Sequence, residues 1–81
     1  MARLLDVRGL RCPLPLLRAR ALVPALAAGE ALHVLATDPE ARIDLAALAA
    51  DEGLAFAVAE EPGGGWRITL VRGPAPGSPG G

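Results

Sequence analysis

Hydrophobic and polar positions recur with two different periods along the 81-residue chain, and each change of period marks an element. Leu4 to Val7 is a short apolar run closed by Arg8-Gly9, which predicts a first strand with Leu5 and Val7 on one face. From Pro13 to Ala28 the spacing lengthens, and Leu16, Ala19, Val23 and Leu26 form one stripe of a helix. Pro13 suits the first turn, where its missing N–H breaks no bond, and Gly29 is a natural stop. Pro24 sits inside this stretch, cannot donate to the carbonyl of Arg20, and predicts a kinked or shortened helix.

Alternation returns from Glu30 to Thr37, with Leu32, Val34 and Ala36 on one face and Ala31, His33 and Leu35 on the other. Asp38-Pro39 reads as an N-cap followed by proline at the first helical position. It opens a second helix that runs to about Glu52, stops at Gly53 and packs through Leu45 and Leu48. Leu54 to Glu60 alternates again, with Leu54, Phe56 and Val58 facing one way. Pro62-Gly63-Gly64-Gly65 then turns the chain into a strand on which Trp66, Ile68 and Leu70 alternate, so the last two strands form a hairpin.

The predicted order is β-α-β-α-β-β. Right-handed crossovers place both helices on the same side of one sheet, giving an α+β, two-layer sandwich with a four-stranded mixed sheet. The other sheet face stays open, and Leu35, Ala55, Ala57 and Val71 on it would support at most a weak dimer. One domain over residues 1–72 is expected, followed by a flexible Gly/Pro-rich tail over 73–81.

Composition narrows the chemistry. Apolar residues make up 52% of the chain, too many for a disordered polar segment, yet there is one Phe, one Trp and no Tyr. The single Ser is Ser78 in the tail, which excludes a serine-hydrolase triad. One Cys and one His cannot build a zinc site of the usual Cys/His type, and no internal disulfide can form. Neither a metal nor a cofactor is expected. The N-terminus has no apolar run of the signal-peptide kind, and a lone cysteine suits a reducing compartment, so a cytoplasmic location with no membrane contact is the expectation.

Net charge is −1, against a basic-patch nucleic-acid binder, and only two aromatics argue against an RNA platform; no direct nucleic-acid contact is expected. The charge is segregated. Arg3, Arg8, Arg11, Arg18 and Arg20 face only Asp6 in the first twenty residues, a balance of +4, while the rest of the chain carries −5. The cysteine lies in the positive part. Their segregation fits partner steering as well as it fits ordinary surface charge.

Cys12 is the one nucleophile this composition leaves. It stands where a loop becomes the first helix, and the helix dipole, unpaired amides and nearby Arg8, Arg11, Arg18 and Arg20 are expected to lower its thiol pKa. Such a shift would raise the thiolate fraction at neutral pH roughly fifteen-fold. Pro13 and Pro15 stiffen this turn and leave the Leu14 and Leu16 amides as donors, while Leu14 and Leu17 lie outside the core stripe as a docking surface. No base is evident: His33 points away from the helices, Asp38 reads mainly as an N-cap, and Asp44 as a solvated or locally bonded residue. Trp66 reads as core. A nucleophile without base or pocket suits carrying a group between partners better than turning over a small substrate.

The run Leu5-Asp6-Val7-Arg8-Gly9-Leu10-Arg11-Cys12-Pro13-Leu14-Pro15-Leu16-Leu17 resembles the Leu-Asp-x-x-Gly-Leu-x-Cys-Pro-x-Pro signature of the TusA/SirA-like small sulfur carriers. The resemblance extends through Gly29-Glu30, Leu32 to Pro39 and Asp44, over roughly residues 4–72. It implies a β-α-β-α-β-β fold and a persulfide on Cys12, with Pro13, Pro15, Arg11, Arg20 and Asp38 in support. The sulfur would come from a cysteine desulfurase or rhodanese-like donor. It would pass to a downstream sulfurtransferase serving tRNA thiolation, molybdenum cofactor or sulfur metabolism. Leu14 stands where some relatives carry an acid, and Ala49 where some carry a second cysteine, so a two-thiol mechanism is not implied. The competing reading is an interaction or regulatory module whose cysteine is incidental.

Overall fold

A computed structural model describes residues 2–73, and the order of elements is the one the periodicity predicts. They are β1 (Ala2–Asp6), α1 (Leu14–Leu22), β2 (Ala31–Ala36), α2 (Pro39–Glu52), β3 (Leu54–Glu60) and β4 (Trp66–Arg72). The expected tail from Gly73 onward lies, beyond Gly73 itself, outside the described residues.

Helix α1 is shorter than its apolar stripe. It ends at Leu22, and Val23–Ala25 tightens into a 3₁₀ turn around Pro24, whose nitrogen has no hydrogen to continue the α-helical ladder. The stripe nevertheless stays inward, with Ala19, Val23 and Leu26 buried. Arg72 closes this end: its Nη2 donates to the Val23 carbonyl at 2.7 Å and its Nε to the Leu26 carbonyl at 3.2 Å. Helix α2 follows the expected pattern, with Asp38 as N-cap and Gly53, at φ +68°, taking the left-handed position that ends it.

The strand order is β1-β2-β4-β3, with β1 parallel to β2 and the other pairs antiparallel. Leu5, Val34, Ile68 and Val58 form one row across the sheet, and Leu32, Leu70 and Phe56 form another. These rows face both helices: Leu32, Val34, Ile68 and Leu70 share one core with Ala19, Val23, Ala41, Leu45 and Leu48. Strand β3 is an edge strand, and there the cover runs out. Leu54 is buried, but Phe56 and Val58 on the same face remain 39% exposed. Trp66 is half-buried against the core, and the Arg42 guanidinium lies 4.4 Å from its ring centre.

On the opposite face, His33 and Thr69 are register partners, and His33 Nδ1 lies 3.0 Å from Thr69 Oγ1. Ala55 and Ala57 are exposed there and Val71 is half-buried, as an open face requires. Leu35 is the exception, being 7% exposed. The hairpin turn between β3 and β4 closes with Glu61 N–H donating to the Gly65 carbonyl and Gly64 N–H to the Glu61 carbonyl, each at 3.0 Å. Gly65 has φ +81°, and a Cβ there would collide with the Ala36 carbonyl oxygen, so only glycine fits.

Candidate functional site

Because β1 and β2 run parallel, their C-terminal ends emerge side by side, and the loops that leave them hold each other in place. The amide of Val7 extends the ladder to the Leu35 carbonyl at 2.9 Å. Gly9 N–H then donates to Thr37 Oγ1 at 2.9 Å, and Cys12 N–H to Asp38 Oδ2 at 2.8 Å. The other oxygen of Asp38 accepts the Glu40 amide at 3.0 Å. Asp38 is therefore both the cap of α2 and the anchor of the cysteine loop, and the amides of Cys12 and Glu40 hold its carboxyl below the usual carboxylate range. An open cleft of about 410 Å³ runs between the loops, lined by Gly9, Leu10 and Arg11 on one side and Thr37, Asp38 and Pro39 on the other.

Cys12 is a free, exposed thiol. Its Sγ–H donates to Asp44 Oδ2 at 3.1 Å. Single donor atoms of Cys12, Glu40 and Asp44 lie within 4.8 Å of one another. One thiol and two carboxylates fall short of the four-ligand Cys/His set of a structural zinc site. The cluster matters instead as the electrostatic surroundings of the sulfur.

Those surroundings reverse the sequence-based expectation. The thiol pKa is not lowered but pushed up to about 11, first by the hydrogen bond to Asp44, then by desolvation and by the charges of Asp44, Glu40 and Asp38. Three facts explain the reversal. The helix begins at Leu14 with Pro13 as N-cap, so Cys12 stands one residue outside it. The Leu14 amide, expected to be available, donates to the Arg11 carbonyl at 2.8 Å, and Pro15 has no N–H. Two of the arginines, finally, are engaged or distant. Arg8 forms a two-point ion pair with Asp6, at 2.9 and 2.7 Å, and holds the Asp6 carboxyl down at about 2. Arg20 lies in the last turn of α1, at the end remote from the cysteine.

Of the residues the sequence singled out, Cys12 and Asp38 are brought together. Pro13 and Pro15 both follow Cys12, Pro13 as the N-cap and Pro15 as a buried member of α1, and Arg11 is exposed near Asp38. Leu14 and Leu17 are 42% and 47% exposed, the apolar rim that was expected. Asp44, read as a solvated or locally bonded residue, is instead the direct partner of a thiol 32 residues away in sequence. A signal existed: Glu40 and Asp44 are four residues apart on a helix capped by Asp38, which places two carboxylates on one helical face.

The family model for sulfurtransferase TusA matches residues 3–72. The chain belongs to the TusA family. It is 45% identical over 68 residues to the sulfur carrier protein TusA of Allochromatium vinosum, covering 84% of this chain and 90% of the relative. The crystal structure of a SirA-like protein from Desulfitobacterium hafniense superposes with a TM-score of 0.80 at 29% identity, covering 91% of this chain and all of the other. TusA membership and the two-layer α+β sandwich thus agree with the signature around Cys12. No helix among the described residues is long and apolar enough to cross a membrane.

Proposed function

We propose that this chain works in the cytoplasm as a sulfur carrier that holds a persulfide on Cys12. The sulfur comes from a cysteine desulfurase or rhodanese-like donor and passes to a downstream sulfurtransferase, in tRNA thiolation, molybdenum cofactor assembly or sulfur metabolism. One observation carries the reading: the exposed Cys12 sulfur stands at the joined ends of β1 and β2, with Leu14 and Leu17 exposed beside it. In loading, Cys12 Sγ attacks the outer sulfur of a donor persulfide. The donor's S–S bond breaks, its thiolate leaves and takes up the cysteine proton, and Cys12 gains one sulfur with no external oxidant. Delivery runs the same exchange in the other direction, with the acceptor thiolate as nucleophile.

Asp38 fixes the loop, and Pro13 and Pro15 stiffen the turn that presents the sulfur. Arg11 and Arg20 contribute positive charge for partner encounter. The partners are proteins, not nucleic acid, and the carrier acts as a monomer or weak dimer. Incubation with a cysteine desulfurase and free cysteine, followed by intact mass spectrometry, tests the reading. Wild type gains one reductant-labile sulfur atom and Cys12→Ser gains none. Wild type that stays unmodified with several desulfurases and sulfurtransferases would favour the interaction-module reading instead.

A further inference from the structure

We infer that Asp44 is a positioning residue for Cys12: it holds the empty carrier as a docked, protonated thiol and lets go once sulfur is loaded. This deepens the carrier reading and rests on it. The observation is the 3.1 Å contact in which Sγ–H donates to Asp44 Oδ2, with Glu40 beside it and Asp38 bound to the Cys12 amide. A carboxylate accepts hydrogen bonds and donates none, so this contact exists only while the sulfur carries a proton.

Loading changes that. When Cys12–SH takes the outer sulfur of a donor persulfide, the S–S bond of the donor breaks and a new one forms on Sγ. The cysteine proton, held between Sγ and Oδ2 until then, ends on the departing donor thiolate. The product, Cys12–S–SH, is a stronger acid than the thiol and ionises to Cys12–S–S⁻ at neutral pH. An anion beside Asp44, Glu40 and Asp38 has no proton to share and is repelled by all three. The charged groups that face the sulfur come from α2 and its cap, and Arg11 on the cysteine's own loop sits near Asp38. The loaded sulfur is therefore driven outward, where an acceptor meets it, while the empty thiol stays docked and poorly reactive. One charge change at the sulfur distinguishes the two states.

The test needs no protein donor. Alkylation of empty Cys12 by iodoacetamide is followed against pH for wild type, Asp44→Asn and Asp51→Asn, the last removing the same charge from an exposed position elsewhere on α2. Wild type titrates with a midpoint near 11. In Asp44→Asn the midpoint falls toward an ordinary thiol, and alkylation at neutral pH speeds up about tenfold, the loss of intrinsic nucleophilicity offsetting part of the gain in thiolate. Asp51→Asn follows wild type. After loading with inorganic polysulfide and desalting, the persulfides of wild type and Asp44→Asn differ in rate far less than the empty thiols do, because the ionised sulfur no longer bonds to Asp44.

A wild-type midpoint at an ordinary thiol value overturns the inference without any variant. So does an Asp44→Asn profile equal to wild type, an equal shift in Asp51→Asn, or a loaded form as sensitive to Asp44 as the empty one. Failure of both proteins to accept sulfur would instead sink the carrier reading, and the empty-thiol profile would still decide whether Asp44 holds the proton.

Discussion

At the scale of single residues, the site turns on carboxylates and not on arginines. Asp38 takes the Cys12 amide with one oxygen and the Glu40 amide with the other, so one side chain ties the reactive loop to the helix that guards it. Its folded pKa is depressed below the unfolded value, so the native state binds fewer protons in that window. The stabilisation is complete above the unfolded carboxylate pKa and is lost as pH falls through the folded one. Urea unfolding followed over acidic pH should show a steeper loss for wild type than for Asp38→Asn, which is already weaker at neutral pH; parallel curves would contradict this role. The N-cap was legible from Asp38-Pro39, and the cysteine from its own neighbours. The sign of the electrostatics was not, because chain neighbours misled: Arg8 turns back to Asp6, and Arg20 lies ~9 Å of helix rise beyond Leu14. Asp44, which decides the sign, is 32 residues away in sequence and becomes a neighbour only through α1 and α2 packing side by side.

At the scale of elements, period and punctuation carried most of the fold. The i, i+3, i+7 stripe places Ala19 and Val23 correctly even though the helix stops at Leu22, because the 3₁₀ turn that Pro24 imposes keeps Val23 inward. Length was the part Pro24 put in question, and the closing hydrogen bonds came from Arg72, whose long reach no local pattern signals. The β3–β4 turn reads from its three glycines, but the sequence ranks none above the others. The structure does. Gly65 has both a positive φ and the Ala36 carbonyl where a side chain would go, whereas Gly64, at φ +112°, has open space around it. Gly65→Ala should therefore cost about 2 kcal/mol or more and Gly64→Ala less. Chemical denaturation of the two variants checks the ranking, and equal losses would refute it.

At the scale of the whole molecule, a two-layer sandwich with two adjacent parallel strands explains why the sulfur is where it is. Parallel strands deliver both loops to one end, and the helices that follow them pack side by side, bringing the α2 carboxylates to the sulfur. The same layering leaves Leu14 and Leu17 outside the core and next to Cys12. On the proposed carrier role, a partner that reaches the sulfur covers that rim. Leu17→Glu should therefore slow sulfur uptake from a desulfurase about tenfold or more, since losing one well-packed interface side chain costs upward of ~1.4 kcal/mol. Uptake from inorganic polysulfide should stay unchanged. Equal slowing with both donors would place the effect on the sulfur itself and not on docking.

The most direct measurement follows one sulfur atom in and out. Wild type is loaded with isotopically labelled sulfur through a desulfurase, desalted, and mixed with a sulfurtransferase that has an acceptor cysteine; each protein's intact mass and labelled peptide are then read. The account predicts one labelled sulfur on the peptide containing Cys12, its loss on mixing, and a matching gain on the acceptor, with Cys12→Ser inert throughout. Label that never reaches Cys12, or that remains there whatever acceptor is offered, would contradict it.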